Sequence, residues 1–298
     1  MKRFTLLSLS LLLVILALAG CKTPVTQGNY TDDMGRTVQI NGIPQSIISL
    51  SPSNTEILFA LGLEDRLIGV TKYCNYPAAA LEKPQVSEFS KVDLEKVISL
   101  NPDLILADNI HKKDVIPAFE KLGIPVLGLA APNLDALLAD IDLIGRVTGK
   151  QGEAAALVEA LDQRIRVVKE QTAGPAKPRV FFVTWHDPLW TVGTGSMIDD
   201  LIVKAGGVNI ASDLAANATI NLETAIERNP EIIVVLSSMG DQAVSYQFLK
   251  NEPRFQATDA LKNNRVFQVN TDIFGRTTPR SIDALEQLSL MIHPEIIK

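Results

Sequence analysis

The 298-residue chain has two cysteines, three histidines and 5 % aromatic residues. After residue 20 no apolar stretch approaches the ~20 residues that a membrane-spanning helix needs. The net charge is −6, with 34 acidic against 28 basic side chains. That balance argues against nucleic acid, which selects basic patches. Motifs of catalysis are missing as well. There is no G-x-S-x-G elbow, no G-x-x-x-x-G-K-[ST] loop and no His-x-x-x-His pair. "GTGSM" (193–197) has no lysine and reads as the cap of a helix starting near Ser196. His111, His186 and His293 are scattered and form no ligand set, although His186, between the two tryptophans, could reach a metal held in a ligand. The chain therefore reads as a non-enzyme without a cofactor of its own.

The ends define a setting. Lys2 and Arg3 precede an apolar run from Leu6 to Ala19, closed by Gly20 and Cys21. A basic start, a short apolar core and small residues before a cut site describe a secretory signal over residues 1–20. The ending "LAGC" resembles a bacterial lipobox, which implies that Cys21 is lipidated and heads a tether over 21–30. Several acyl chains suffice for stable anchoring. Loss of Lys2 and Arg3 leaves 26 basic and 34 acidic residues, a net −8. With Cys21 lipidated, Cys74 has no disulfide partner, so a hydrophobic core must hold the fold. The remaining length suits two domains.

Along the chain, "YTDDMGRTVQI" reads as a hairpin. Short apolar strands then alternate with helical patterns: "SIISLS", "RLIGVT" and "DLILA", with Asn54 or Ser53 as the cap of "TEILFALGL". Such alternation implies a parallel sheet covered by helices. "GEAAALVEALDQRIRVVKEQ" (152–171) has no proline and no internal glycine, and reads as one helix of roughly five turns. After it the alternation restarts with "RVFFVT", "EIIVVL" and "NRVFQV". The expected architecture is α/β: an N-terminal lobe over 31–150, a connecting helix over 151–173 and a C-terminal lobe over 174–298, two Rossmann-like lobes on one rigid helix.

One phrase occurs twice. "LEKVISLNPDLIL" starts at Leu94 and "LETAIERNPEIIV" at Leu222. Each reads as a helix, an Asn-Pro turn and a central strand, with Leu94, Val97 and Ile98 on one helix face. Helix, turn and strand explain the leucine, the Asn-Pro and the apolar run. They do not require Glu95 and Glu223, which stand in first turns where the helix dipole favours an acid by about 0.3–1 kcal/mol.

With these segments in order, the chain resembles the substrate-binding proteins of ABC importers for ferric siderophores, haem and cobalamin, across essentially all of its length past the leader. The resemblance implies a class III periplasmic binding protein fold with the ligand between the lobes. It also implies a dimeric permease with ATPase subunits as partner, and one glutamate per lobe entering its arginine pockets. Glu95 and Glu223 match those positions in turn. Two equivalent acids on two similar lobes suit a two-fold symmetric partner.

Within the family, "YCNYP" (73–77) and "TDIFGRTTPR" (271–280) are most similar to the cobalamin-binding members. By that likeness Tyr73, Phe89, Trp185 and Trp190 match aromatic contacts of the corrinoid or their near neighbours, and Asp272 and Arg276 match contacts to its side-chain amides. Tyr76 and Phe274 also fall beyond strand ends, where α/β sheets bind ligands, and would otherwise plug the lobe cores. Asp108 and Asn217 stand where the cobalamin-binding members have tryptophans. The expected ligand is vitamin B12 or a related corrinoid, captured outside the cytoplasmic membrane; a ferric siderophore or haem is the alternative.

Overall fold

The computed structural model describes residues 27–296 apart from 89, 175 and 238–242. Cys21 and Phe89 lie outside the described residues. The first element is an antiparallel hairpin, β1 (Gln27–Thr31) and β2 (Thr37–Asn41). Strand β1 begins inside the expected 21–30 tether. Its turn is tied to the N-terminal lobe: the Asp32 carboxylate accepts from the Gly128 amide at 3.0 Å, and that of Asp33 from the Ala130 amide at 2.7 Å.

The N-terminal lobe holds five parallel strands: β3 (Ile47–Ser49), β4 (Leu67–Thr71), β5 (Gln85–Ser87), β6 (Leu104–Asp108) and β7 (Val126–Leu129). Their order is β5-β4-β3-β6-β7, so the winding reverses between β3 and β6. The C-terminal lobe holds β8 (Arg179–His186), β9 (Leu189–Thr191), β10 (Val208–Asn209), β11 (Ala218–Thr219), β12 (Ile232–Ser237) and β13 (Val266–Asn270). The main order is β11-β9-β8-β12-β13, with β10 also pairing β8. Strands β8, β12 and β13 run parallel, while β9 and β11 add antiparallel ribbons at one edge. The second lobe is thus a variant of the first, not a copy. Strands β5, β10 and β11 have two or three residues and carry no period legible in the sequence.

Helix α1 (Pro52–Ala60) follows β3. Its cap is Ser51, whose hydroxyl accepts from the Asn54 amide, rather than Ser53 or Asn54; Pro52 occupies the first turn, where a missing N–H costs nothing. The repeated phrases form α2 (Leu94–Ser99) and, further on, the helix Leu222–Glu227. Helix α3 (Leu134–Thr148) ends at Gly149 in the left-handed region and turns into α4 (Gln151–Gln171), the long connector. A Cβ at Gly145 would lie 2.3 Å from that of Ala154, so glycine is what lets α3 and α4 approach so closely.

The connector is held on both sides. Ala154, Leu161, Ile165 and Val168 are buried, and Arg164 reaches Asp283 at 2.7 Å and Glu286 at 2.7 and 2.8 Å on the helix Ser281–Ile292. One continuous apolar core includes residues of both lobes, from Ile47, Leu104 and Leu127 through α3 and α4 to Phe182, Leu201 and Leu285. Across it the Leu134 amide donates to Asp200 at 2.9 Å. A shared packed core excludes large hinge motions and leaves only small changes of spacing at the edge of the cleft.

Candidate ligand cleft and lobe surfaces

The repeat has a structural explanation down to single atoms. In both copies a polar residue caps the helix: Asp93 accepts from the Lys96 amide at 3.0 Å, and Asn221 from the Thr224 amide at 2.8 Å. In both, the asparagine before proline takes a left-handed conformation, with φ of 49° at Asn101 and 43° at Asn229. Asparagine tolerates that region better than other residues with a side chain, so it ends the helix where glycine commonly does. The acid after proline ties down the neighbouring strand. Asp103 accepts from the amides of Gln45 at 2.8 Å and Ser46 at 3.0 Å, at the head of β3; Glu231 accepts from the Arg179 amide at 2.9 Å, at the head of β8.

The glutamates take no part in this scaffold. Glu95 and Glu223 are both exposed in the first turns of their helices. Glu223 pairs with Arg254 at 2.9 Å, an open ion pair of small energetic weight. For Glu95 no comparable ion pair is found among the described residues. Around it Leu94 and Ile98 are also exposed, so only Val97 of the expected apolar face is core.

The C-terminal ends of the parallel strands of both lobes point to a common cleft, the location expected for a ligand in α/β sheets. Between the lobes lies a cavity of about 350 Å³, lined by Ser53, Asn54, Asp108 and Pro132 from one side and Gly195 and Thr277 from the other. A second cavity of about 300 Å³ shares Thr277 and extends along Thr184, Asn217, Phe274 and Arg276. Asp108 and Asn217, the two departures from tryptophan, thus both line cleft cavities. Burial pushes the Asp108 carboxyl up.

The candidate aromatics divide. Tyr73 and Tyr76 are each 47 % exposed in the segment after β4, and Trp185 and Trp190 are 45 % and 36 % exposed. The tryptophans do not lie in a loop. Trp185 is the next-to-last residue of β8, Trp190 sits in β9, and the two are directly paired across the hairpin, hence on one face. The Trp185 indole N–H donates to the Asp187 carbonyl at 2.8 Å, fixing the ring. His186 stacks near Trp185 and is 3.0 Å from the Ser245 hydroxyl, held by the protein itself. Phe274 is 2 % exposed and stacks on Phe182 at 6.3 Å between ring centres, so it belongs to the core.

Asp272 and Arg276 are joined to each other at 2.6 Å and also bridge the lobes. The Arg276 guanidinium donates to the side-chain Oδ1 of Asn75 at 2.7 Å, while the side-chain Nδ2 of Asn75 donates to Asp272 at 2.8 Å. Arg280, four residues on, covers the Tyr76 ring at 3.9 Å and binds the buried Glu56 of α1. Glu56, Asn75 and Arg280 were not singled out in the sequence. The one signal for Glu56 is an acid standing directly before the apolar run of "TEILFALGL".

A second buried acid, Asp140 of α3, lines the cavity between the lobes. Burial first, and then the charge and hydrogen bond of Asp33, push its carboxyl up to about 8. In the unfolded chain it ionises near 4. The folded state thus keeps a proton that the unfolded state releases, and stability from this group falls as pH rises from about 4 to about 8. Asp140→Asn should relieve the loss, stabilising the protein more at pH 8 than at pH 5 by on the order of 3 kcal/mol. Urea unfolding at both pH values checks this; an equal effect at the two would contradict it.

Comparison with known proteins agrees with this architecture. Residues 47–272 match the periplasmic binding protein family. An uncharacterized ABC transporter substrate-binding lipoprotein of Bacillus subtilis, YvrC, is 30 % identical over 97 % of this chain and 97 % of its own. The vitamin B12-binding protein of Vibrio cholerae is 27 % identical over 82 % of this chain and 87 % of its own. The crystal structure of a periplasmic heme-binding protein from Pseudomonas aeruginosa superposes with a TM-score of 0.75 at 26 % identity, covering 85 % of this chain and 94 % of that one. Two α/β lobes on one long helix, a cleft at their strand ends and this match over most of the chain lead to one conclusion: the protein belongs to the periplasmic binding protein family and is the extracytoplasmic substrate-binding component of an ABC importer.

Proposed function

We propose that the protein captures a corrinoid, vitamin B12 or a related cobamide, in the cleft and delivers it to a dimeric permease coupled to ATPase subunits. The observation that carries this reading is the set of half-exposed rings Tyr73, Tyr76, Trp185 and Trp190 at strand ends of both lobes, in a chain with so few aromatics. Exposed apolar rings are costly unless a ligand covers them, and a large flat ligand does so best. Phe89, outside the described residues, is assigned by sequence match alone, and Asp272 and Arg276 offer an acceptor and a donor for amide groups. The name of the Vibrio cholerae relative supports the same ligand class. Titration of the intrinsic tryptophan fluorescence tests it. Cyanocobalamin and cobinamide should quench it saturably and more tightly than haem or a ferric siderophore. Tighter binding of either rival would replace the corrinoid. A more polar ligand has one specific argument, namely Asp108 and Asn217 on the cleft walls.

The anchor belongs to the same proposal. Among the described residues no helix is long and apolar enough to cross a membrane. Attachment is assigned to lipidation of Cys21 on the sequence of the "LAGC" ending alone. Cys21→Ala should shift the protein to the soluble fraction or block its maturation; unchanged membrane fractionation would contradict the anchor.

A further inference from the structure

Glu56 is an acid in the wrong place for an ordinary helix. It sits on α1 of the N-terminal lobe with its side chain only 2 % exposed, and its partners come from the other lobe. Arg280 grips it with two donors, Nε to Oε2 at 2.7 Å and Nη2 to Oε1 at 2.5 Å. Arg276 stands 3.5 Å from the same Oε1. Two arginines 14 % and 17 % exposed would repel each other without an acid between them. A bidentate guanidinium–carboxylate pair fixes direction as well as distance. Through it Arg280 is laid over the Tyr76 ring, and Arg276 is turned toward Asp272 and Asn75. The cluster is neutral as a whole, with Glu56 and Asp272 against Arg276 and Arg280, and it joins three N-terminal-lobe residues to three of the C-terminal lobe.

We propose that Glu56 is a positioning residue of the cleft: by clamping Arg280 and Arg276 across the lobes it sets the inter-lobe angle and the orientation of Tyr76 and Asp272 toward the ligand. The part concerning ligand rests on the corrinoid reading above; the clamp itself does not. Removing the charge leaves two partly buried guanidinium groups with one carboxylate, and the lobes lose their defined spacing at this edge of the cleft.

The test is a distance measurement between spin labels on the two lobes, at Asp65 and Lys262, in the full-length protein with Cys21 and Cys74 both replaced by serine and no ligand present. Glu56→Gln should broaden the distance distribution, Arg280→Lys should broaden it less, and the surface control Glu159→Gln should leave it unchanged. If Glu56→Gln does not fold by circular dichroism, Arg280→Lys carries the readout, because it keeps the charge and loses only the two-pronged grip. Unchanged distributions in the folded variants would overturn the clamp. The second readout is affinity for cyanocobalamin. Glu56→Gln should weaken it about tenfold, with little further loss when added to Arg280→Lys, since both act through one contact. Additive losses would show that Glu56 does not act through Arg280. Should the wild type not bind cyanocobalamin, the corrinoid reading falls, and the distance distributions still decide the clamp.

Discussion

Reversing both repeat glutamates, Glu95→Arg with Glu223→Arg, should reduce permease-dependent uptake by more than about 100-fold and leave ligand affinity within about threefold. The reason is geometric. Both side chains are exposed on the first turns of equivalent helices, one per lobe, and neither belongs to the cleft. The rest of each repeat has an internal duty: the caps Asp93 and Asn221, the turn asparagines Asn101 and Asn229, and the strand ties Asp103 and Glu231. Glu95 has no such duty among the described residues, and Glu223 makes only an open ion pair to Arg254. Removing one partner of a close interfacial charge pair costs about 2–5 kcal/mol, and each 1.4 kcal/mol is tenfold. The two copies should differ in degree. Glu223 must leave Arg254 to meet a partner, whereas Glu95 has no such tie among the described residues, so Glu95→Arg alone should do more harm. Stimulation of ATPase activity in a reconstituted permease measures this; a double variant that stimulates normally would return both residues to helix-dipole stabilisation.

Replacing the tryptophan pair has the second large effect. Trp185→Ala or Trp190→Ala should weaken cyanocobalamin roughly 10- to 100-fold, and thermal stability should change little. Each ring is more than a third exposed, so the fold gains little from it. Covering about 100 Å² of ring by ligand is worth roughly 2.5 kcal/mol at ~25 cal/mol per Å². Because the two are directly paired across the hairpin, their effects should couple, and the double variant should lose less than the product of the two single losses. Calorimetric titration with melting curves in parallel separates binding from folding. Unaltered affinity in both single variants would move the ligand away from the C-terminal lobe hairpin.

How much of this was legible beforehand differs by level. The α/β class and the long connector were readable because 21 helical residues without interior proline, and apolar runs at β6, β8 and β12, give strong periodic signals. Phe274 shows where such reading stops. Its place after a strand fitted the cleft, yet its ring stacks on Phe182, a contact between residues 92 positions apart that no local pattern encodes. Leu94 and Ile98 fail in the opposite sense, since helical spacing marks them as core and the fold leaves them outside. The inter-lobe cluster was out of reach for the same reason. Asp272 and Arg276 stood out as a charged pair, but Glu56 and Asn75, roughly 200 residues earlier, complete the arrangement.

The identity of the ligand is measured most directly by one competition. The protein is mixed with equal excesses of cyanocobalamin, haem and a ferric siderophore, separated from free ligand by gel filtration, and its absorption spectrum recorded. A corrinoid spectrum at about one equivalent per chain is the predicted result. A haem or ferric-siderophore spectrum, with no corrinoid retained, would contradict the assignment and leave the importer family with a different cargo.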